Sequence, residues 1–88
     1  MNVRIYKLKA YVENSKHRTN VMNVLSRYEF KKPIQIAKEC DIGKSRISKY
    51  IVELRNKKLI ECINEEMRKG RLYRLTEDGL KVQKLMNR

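Results

Sequence analysis

A chain of 88 residues is too short to divide its apolar residues between two stable cores, so the sequence predicts a single domain. Its 22 lysines and arginines outnumber its 10 acidic residues, and the resulting net charge of +12 repels itself unless a polyanion neutralises it. This charge indicates nucleic acid as the polyanion, although a generally basic small protein has the same composition.

Residues 14–57 predict three helices separated by short links. The first extends from residue 14 or 15 to about Tyr28, because apolar residues recur at the i, i+3, i+4 and i+7 positions of an amphipathic helix. The second begins at Pro33, which a first helical turn tolerates, and lasts about two turns. The third covers roughly residues 44–57. The apolar positions of the three helices are Val21, Val24, Leu25 and Tyr28; Ile36, Ala37 and Cys40; and Ile47, Tyr50, Ile51 and Leu54.

A three-residue turn at positions 41–43 separates the second and third predicted helices. Gly43 can adopt the positive φ that ends a helix at low cost, and Ile42 is expected to fill the core between the two helices. Two helices joined in this way form a helix-turn-helix arrangement. Residues 1–12 alternate like a strand but are rich in lysine like a helix, so both structures stay open for them.

After Leu59 the hydrophobic period changes to that of strands. Residues 60–63 and 71–75 are short, rich in β-forming residues and roughly alternating, so they predict a β-hairpin with a flexible, basic-tipped loop at 64–70. Thr76 then offers an N-cap, followed by two acidic residues, for a last helix. The apolar residues of that helix are Leu80, Val82, Leu85 and Met86.

This order of elements predicts an α+β fold that is mostly α. It is the order of a winged helix-turn-helix, with a three-helix core, a two-stranded β-hairpin wing and a C-terminal helix. We expect residues 1–88 to form a single DNA-binding domain. Its parts are an N-terminal extension (1–13), the winged-helix core (14–76) and the C-terminal helix (77–88).

Patterns typical of catalysis, metal binding or membrane insertion are not evident in the sequence. His17 has no nucleophile or carboxylate set around it, and no GxGxxG, Walker or GxSxG pattern occurs. Cys40 and Cys62 lack a CxxC pattern, so we expect them to be small buried residues rather than metal ligands or a disulfide. No apolar run could span a bilayer, and the N-terminal segment does not resemble a secretory signal. We therefore expect a cytoplasmic, nucleoid-associated protein that is not an enzyme and has no cofactor and no metal.

The residues themselves resemble those of archaeal winged-helix transcription regulators, a group similar to the ArsR and MarR families. The matching segments are IAKE at 36–39, Ile42, SRIS at 45–48, Leu54, KLIE at 58–61 and GRLYRLTEDG at 70–79, of which RLYRLTEDG is the most specific. The resemblance covers about residues 14–86. It implies a third helix that enters the major groove and a wing that contacts the DNA backbone or minor groove. Because the third helix lacks the paired cysteines of metal-sensing ArsR proteins, the resemblance does not extend to a metal-responsive switch.

The third predicted helix has an outward face suited to reading DNA. On a helical wheel its core residues occupy one side, and short hydroxyls and cations lie across from them, where they can approach base edges and phosphates. These residues are Ser45, Ser48, Lys49, Val52 and Asn56, flanked by Lys44 and Arg46. A simply solvated face is the alternative. Val52 is either a contact for a thymine methyl group or an ordinary exposed valine.

Two further basic clusters are candidate phosphate contacts, and each is also compatible with a solvated surface. They are Arg68, Lys69 and Arg71 in the wing, and Lys16, His17 and Arg18 at the start of the first helix. The wing cluster is partly balanced by Glu65 and Glu66, whereas the other lies near helix amides that can bind phosphate. Tyr28, Tyr50 and Tyr73 fall on apolar stripes and are expected in the core rather than in base stacking.

These features together predict a sequence-preferring, double-stranded DNA-binding transcription regulator that represses by occluding a promoter. The alternatives are a winged helix used for protein or RNA contact in the transcription or translation machinery, and a nonspecific architectural chromatin protein. We expect a homodimer through the terminal segments, because their apolar residues exceed what one small core covers. A monomer whose ends close its own core is the alternative. No small-molecule ligand is evident.

Overall fold

Five helices and one short β-hairpin make up residues 2–87, the part of the chain that the computed structural model describes. In chain order they are α1 (Val3–Glu13), α2 (Lys16–Val24), α3 (Pro33–Cys40), α4 (Lys44–Asn56), β1 (Ile60–Cys62), β2 (Tyr73–Leu75) and α5 (Glu77–Met86). Within this part of the chain, every helix is too short or too polar to cross a membrane.

A single apolar core joins these elements, because each helix and each strand contributes at least one buried residue to it. The predicted stripe of α4 is buried as expected, and Ile42 fills the core between α3 and α4 with 7% of its surface exposed. Leu54, Leu59 and Leu75 are fully buried and connect α4 with the hairpin. The core therefore fixes the face of α4 that stays outside.

The turn between α3 and α4 differs from the prediction at Gly43. Asp41, not Gly43, adopts the left-handed conformation, with φ of 55°, which aspartate tolerates better than most residues. The Ile42 amide then donates to the Ala37 carbonyl at 2.9 Å and closes the end of α3. Gly43 is extended, with φ of −62°, and serves as the N-cap of α4 by accepting from Arg46 N at 2.9 Å.

The first predicted helix is shorter than its apolar pattern indicates, because α2 ends at Val24 instead of near Tyr28. Gln83 of α5 donates from Nε2 to the carbonyls of Met22 and Leu25, both at 2.8 Å. These hydrogen bonds satisfy carbonyls that a longer helix would have used. The placement of Tyr28 in the core is wrong, since 81% of its surface is exposed.

The link between α2 and α3 lies alongside β2 like a third strand. Leu75 N donates to Ser26 O at 2.9 Å, and Lys31 exchanges two backbone hydrogen bonds with Tyr73 at 2.9 and 3.0 Å. On its other side β2 pairs antiparallel with β1, in the register Ile60↔Leu75. Both strands are shorter than predicted, and Tyr73 is buried as expected, as is Tyr50.

The N-terminal segment, for which the sequence left both a strand and a helix open, forms a helix. Asn2 caps α1 by accepting from Ile5 N at 3.3 Å, and Ile5 and Val12 enter the core. Arg4 forms a two-point ion pair with Asp78 of α5, at 2.6 and 3.3 Å. This hydrogen bonding lowers the pKa of Asp78, so the stabilisation it provides is present at neutral pH and is lost as the pH falls through that lowered pKa.

The two cysteines are less buried than expected. Cys40 and Cys62 are both free thiols at half-buried positions on the edge of the core. Burial is the main reason that the pKa of the Cys40 thiol is raised above its ordinary value.

Candidate nucleic-acid interface

The outer face of α4 is the largest exposed set of predicted DNA-binding residues. Because Ile47, Tyr50, Ile51 and Leu54 face the core, the opposite side of the helix is left to solvent. The five residues of α4 predicted to bind DNA are all exposed: Lys44, Ser45, Arg46, Ser48 and Lys49. Val52 and Asn56 continue this exposed face toward the end of the helix.

The cations on this face have no carboxylate partner among the residues that the structure describes. The ion pairs among residues 2–87 take their cations from Arg4, Lys9, Arg18, Arg27, Lys31, Arg55 and Arg74. Lys44, Arg46 and Lys49 are absent from that set. Glu53, the acidic residue within α4, pairs instead with Arg18 of α2 at 3.3 Å. The outer face of α4 is therefore cationic and free to attract an anion.

Cations at the start of α4 and of α2 oppose the helix macrodipole. Each helix begins with a lysine, Lys44 or Lys16, and neither has an acidic residue in its first turn. The start of α5 is different, since Glu77 and Asp78 lie there. A cation at a helix N-terminus costs roughly 0.3–1 kcal/mol, and a phosphate at the same place removes that cost. Both helix ends therefore suit a bound phosphate.

Of the three residues predicted at the start of α2, only Lys16 is exposed, and the other two are half-buried. The guanidinium of Arg18 lies 4.0 Å from the ring centre of Tyr11 and pairs with Glu53. The His17 ring packs on Tyr50 of α4 at 5.1 Å, and its Nδ1 is buried without a hydrogen-bond partner. His17 and Arg18 therefore hold α2 against α1 and α4, and Lys16 remains available for phosphate.

The loop between β1 and β2 is braced by its own side chains. Asn64 accepts from Leu72 N at 2.8 Å through Oδ1 and donates to Gly70 O at 3.1 Å through Nδ2. Arg71 donates to the carbonyls of Met67 at 2.7 Å and Glu65 at 3.1 Å. Arg71 thus shapes the loop, whereas its neighbours in the predicted cluster are exposed at the tip without a carboxylate partner among residues 2–87. Those two residues are Arg68 and Lys69.

Two supporting residues were missed by the sequence analysis. Arg55, near the end of α4, pairs with Glu65 and so ties the helix to the hairpin loop. Tyr50 was assigned to the core alone, but its hydroxyl accepts from Arg46 at 3.4 Å, and the ammonium of Lys49 lies 5.6 Å from its ring centre. The i, i+4 spacing of Arg46 and Tyr50 was the available signal. No local pattern indicates the pairing of Arg55 across ten residues.

Comparison with known proteins rests on structure, since neither a family model nor a curated protein matches the chain. A solved structure of Streptococcus pneumoniae FabT in complex with DNA is similar, with a TM-score of 0.69, 18% identity and 94% of this chain covered. A MarR family transcriptional regulator from Silicibacter pomeroyi has a TM-score of 0.67, with 20% identity and 97% covered. The fold is a winged helix. The prediction of a winged helix-turn-helix is thus confirmed, and the likeness to MarR regulators holds at the level of the fold.

In this winged helix, α3 and α4 form the helix-turn-helix, and the hairpin with its loop forms the wing. The likeness to archaeal regulators in particular stays a prediction. The chain spans 63% and 60% of the length of the two similar chains. The comparison therefore covers the winged helix and not the remainder of those proteins.

Proposed function

We propose that this chain is a sequence-preferring, double-stranded DNA-binding transcription regulator rather than an enzyme, and that residues 1–88 act as one DNA-binding domain. The observation that carries the proposal is the exposed face of α4, where Lys44, Arg46 and Lys49 have no carboxylate partner within residues 2–87. The DNA complex of the similar FabT structure supports it. Repression by occupying a promoter is the mechanism we propose.

The expected contacts with DNA fall into two groups, base contacts from α4 and phosphate or minor-groove contacts from the wing. Ser45, Ser48 and Lys49 lie on the outer face of α4, where hydroxyls and an ammonium can reach base edges in the major groove. Arg68 and Lys69 at the wing tip offer only long cationic side chains, which suit phosphates or a narrow minor groove. Base contacts give sequence preference, whereas phosphate contacts strengthen binding to any sequence.

Selection of bound duplexes from a random pool tests the proposal. We expect one enriched motif, which would then serve as the operator in binding experiments. Tight binding without enrichment would instead support a nonspecific architectural chromatin protein. Binding of RNA but not of duplex DNA would support a winged helix used in the transcription or translation machinery.

Substitutions in α4 and in the wing are expected to have different consequences. Lys49→Ala should change the enriched motif and weaken binding to the original motif about tenfold more than binding to random DNA. Lys69→Ala should weaken both kinds of DNA by a similar factor, because it removes a phosphate contact. Fluorescence anisotropy with both duplexes measures the two ratios. The reverse result, a motif redirected by Lys69→Ala alone, would show that the roles are assigned wrongly.

We also propose that the protein is a homodimer that associates through α1 and α5. These helices pack on each other within one chain and use Ile5, Val12 and Val82 for its own core. An apolar groove of about 280 Å³ nevertheless remains between them, and Val3 and Tyr6 beside it are exposed. The groove is lined by Asn2, Ile5, Tyr6, Lys81, Lys84 and Leu85. A two-fold pair of chains suits duplex DNA, because two α4 helices roughly 34 Å apart can enter successive major grooves.

Sedimentation equilibrium at micromolar concentration is expected to give a dimer mass. Tyr6→Lys should give a monomer with an unchanged circular dichroism spectrum, because Tyr6 is 45% exposed in a single chain and a further ammonium beside Lys81 and Lys84 opposes association. Tyr28→Lys is the matched control, since Tyr28 is exposed on the link before α3 and should leave the dimer intact. A wild-type monomer that stays monomeric on the selected operator would contradict the proposal.

A further inference from the structure

Val52 is the apolar residue on the outer face of α4. It is 53% exposed and lies about 160° around the helix from the fully buried Leu54. Ser45, Lys49 and Asn56 share its side of the helix and are all exposed. Val52 therefore contributes little to the core and projects from the face that carries the free cations.

Exposure alone does not assign a role, since isolated apolar residues are common on protein surfaces. Tyr28, with 81% of its surface exposed, is such a residue in this chain. Val52 differs because Lys49, whose ammonium pairs with no carboxylate in the described part of the chain, lies on the same face and attracts a polyanion. Charge complementarity thus indicates DNA as the occupant of the surface around Val52.

The shape of this surface suits a base edge. Val52, Arg55 and Asn56 line an open cleft of about 290 Å³. Arg55 pairs with Glu65 of the hairpin loop, so the end of α4 and the wing meet at one wall of the cleft. Val52 supplies an apolar wall, and Asn56 supplies an amide that can both donate and accept a hydrogen bond.

We propose that Val52 is a specificity-determining residue that packs on the 5-methyl group of a thymine in the major groove. Among the four bases only thymine presents a methyl group there, so an apolar contact at this place distinguishes thymine from the others. Asn56, on the same cleft, suits the N7 and N6 positions of an adenine near that thymine. This inference rests on the proposed function, because it requires α4 to enter the major groove.

Replacement of thymine by uracil in the operator tests this contact at a single methyl group. The exchange removes the 5-methyl group and leaves the hydrogen-bonding edge of the base unchanged. Each thymine of the selected operator is replaced in turn, and the affinity of the wild-type protein is measured by fluorescence anisotropy. We expect a loss of about fourfold at one position in each half-site, which corresponds to one buried methyl group.

Val52→Ala is expected to bind thymine and uracil equally at that position, whereas the wild type distinguishes them. Alanine is a better helix former than valine, so the variant should keep its fold. Tyr28→Ala is the control, because it removes an exposed side chain that lies outside α4 and outside the proposed dimer surface, and it should keep the discrimination. Equal binding of both duplexes by the wild type, or discrimination that persists in Val52→Ala, overturns the inference and leaves the proposed function standing. Absence of duplex binding by the wild type overturns both.

Discussion

Gly79→Ala is expected to lower the free energy of unfolding by about 3 kcal/mol or more, because the added methyl group has no space. Gly79 is buried in the first turn of α5, and a Cβ placed there would lie 2.0 Å from the carbonyl oxygen of Leu59. It would also lie 3.2 Å from Leu75 Cδ2. The same Leu59 oxygen accepts a hydrogen bond from Thr76 N at 3.0 Å, so the backbone cannot retreat without loss of that bond. Urea denaturation followed by circular dichroism measures the effect.

Gly43→Ala is the matched control for this measurement. Gly43 has φ of −62°, and a Cβ at its position would meet no atom within 4 Å. We therefore expect a change in the free energy of unfolding within about 1 kcal/mol, the usual size for an N-cap glycine replaced by alanine. Equal effects of the two substitutions would show that α5 does not pack against the start of the hairpin as described.

The affinity for duplex DNA is expected to fall about a thousandfold between roughly 50 and 200 mM salt. The reason is that six of the residues predicted to contact DNA are exposed cations without a carboxylate partner among residues 2–87. They are Lys16, Lys44, Arg46, Lys49, Arg68 and Lys69. If all six lie against the DNA and displace counterions, Lys49 at a base edge and the others at phosphates, the slope in log affinity against log salt is about −5. Fluorescence anisotropy over a salt series measures that slope, and an affinity that changes less than tenfold would contradict the expectation.

The helix-turn-helix could be predicted from the sequence because its signals are local. The i, i+3, i+4, i+7 stripe that places Ile47 and Leu54 on one side of α4 is set by helical geometry alone. Pro33 marks the start of α3 and Thr76 caps α5, where its hydroxyl accepts from Gly79 N at 3.0 Å. The exposed face of α4 follows as the complement of its buried stripe.

Other parts of the fold depend on residues that are distant in sequence. The end of α2 is fixed by Gln83, which lies 61 residues beyond the Met22 carbonyl that it binds. The strand-like link before α3 exists because Lys31 pairs with Tyr73, which also belongs to β2. Such tertiary partners leave no trace in the local hydrophobic period, so the apolar spacing that ends at Tyr28 predicted a longer helix.

The candidate interface also combines features that the local sequence determines with contacts between residues that are distant in sequence. The sequence could place Arg18 and Arg71 in basic clusters, but it could not show which groups already bind them. The structure places Arg18 against Tyr11 and Glu53, and Arg71 against the carbonyl of Met67. Charge alone therefore overestimates the number of cations available to DNA.

The central claim, that the free cations of α4 bind duplex DNA, is tested most directly by two variants that remove the same charge from different faces. Lys44→Ala/Lys49→Ala and Lys7→Ala/Lys57→Ala each lower the net charge of +12 by two, but the second pair lies on α1 and at the C-cap of α4, where Lys57 is directed at Tyr11 of α1. We predict that the α4 variant makes the salt slope shallower by about two and that the control variant keeps the wild-type slope within about half a unit. Equal slopes for the two variants would contradict the claim, because DNA binding would then follow net charge and not the exposed face of α4.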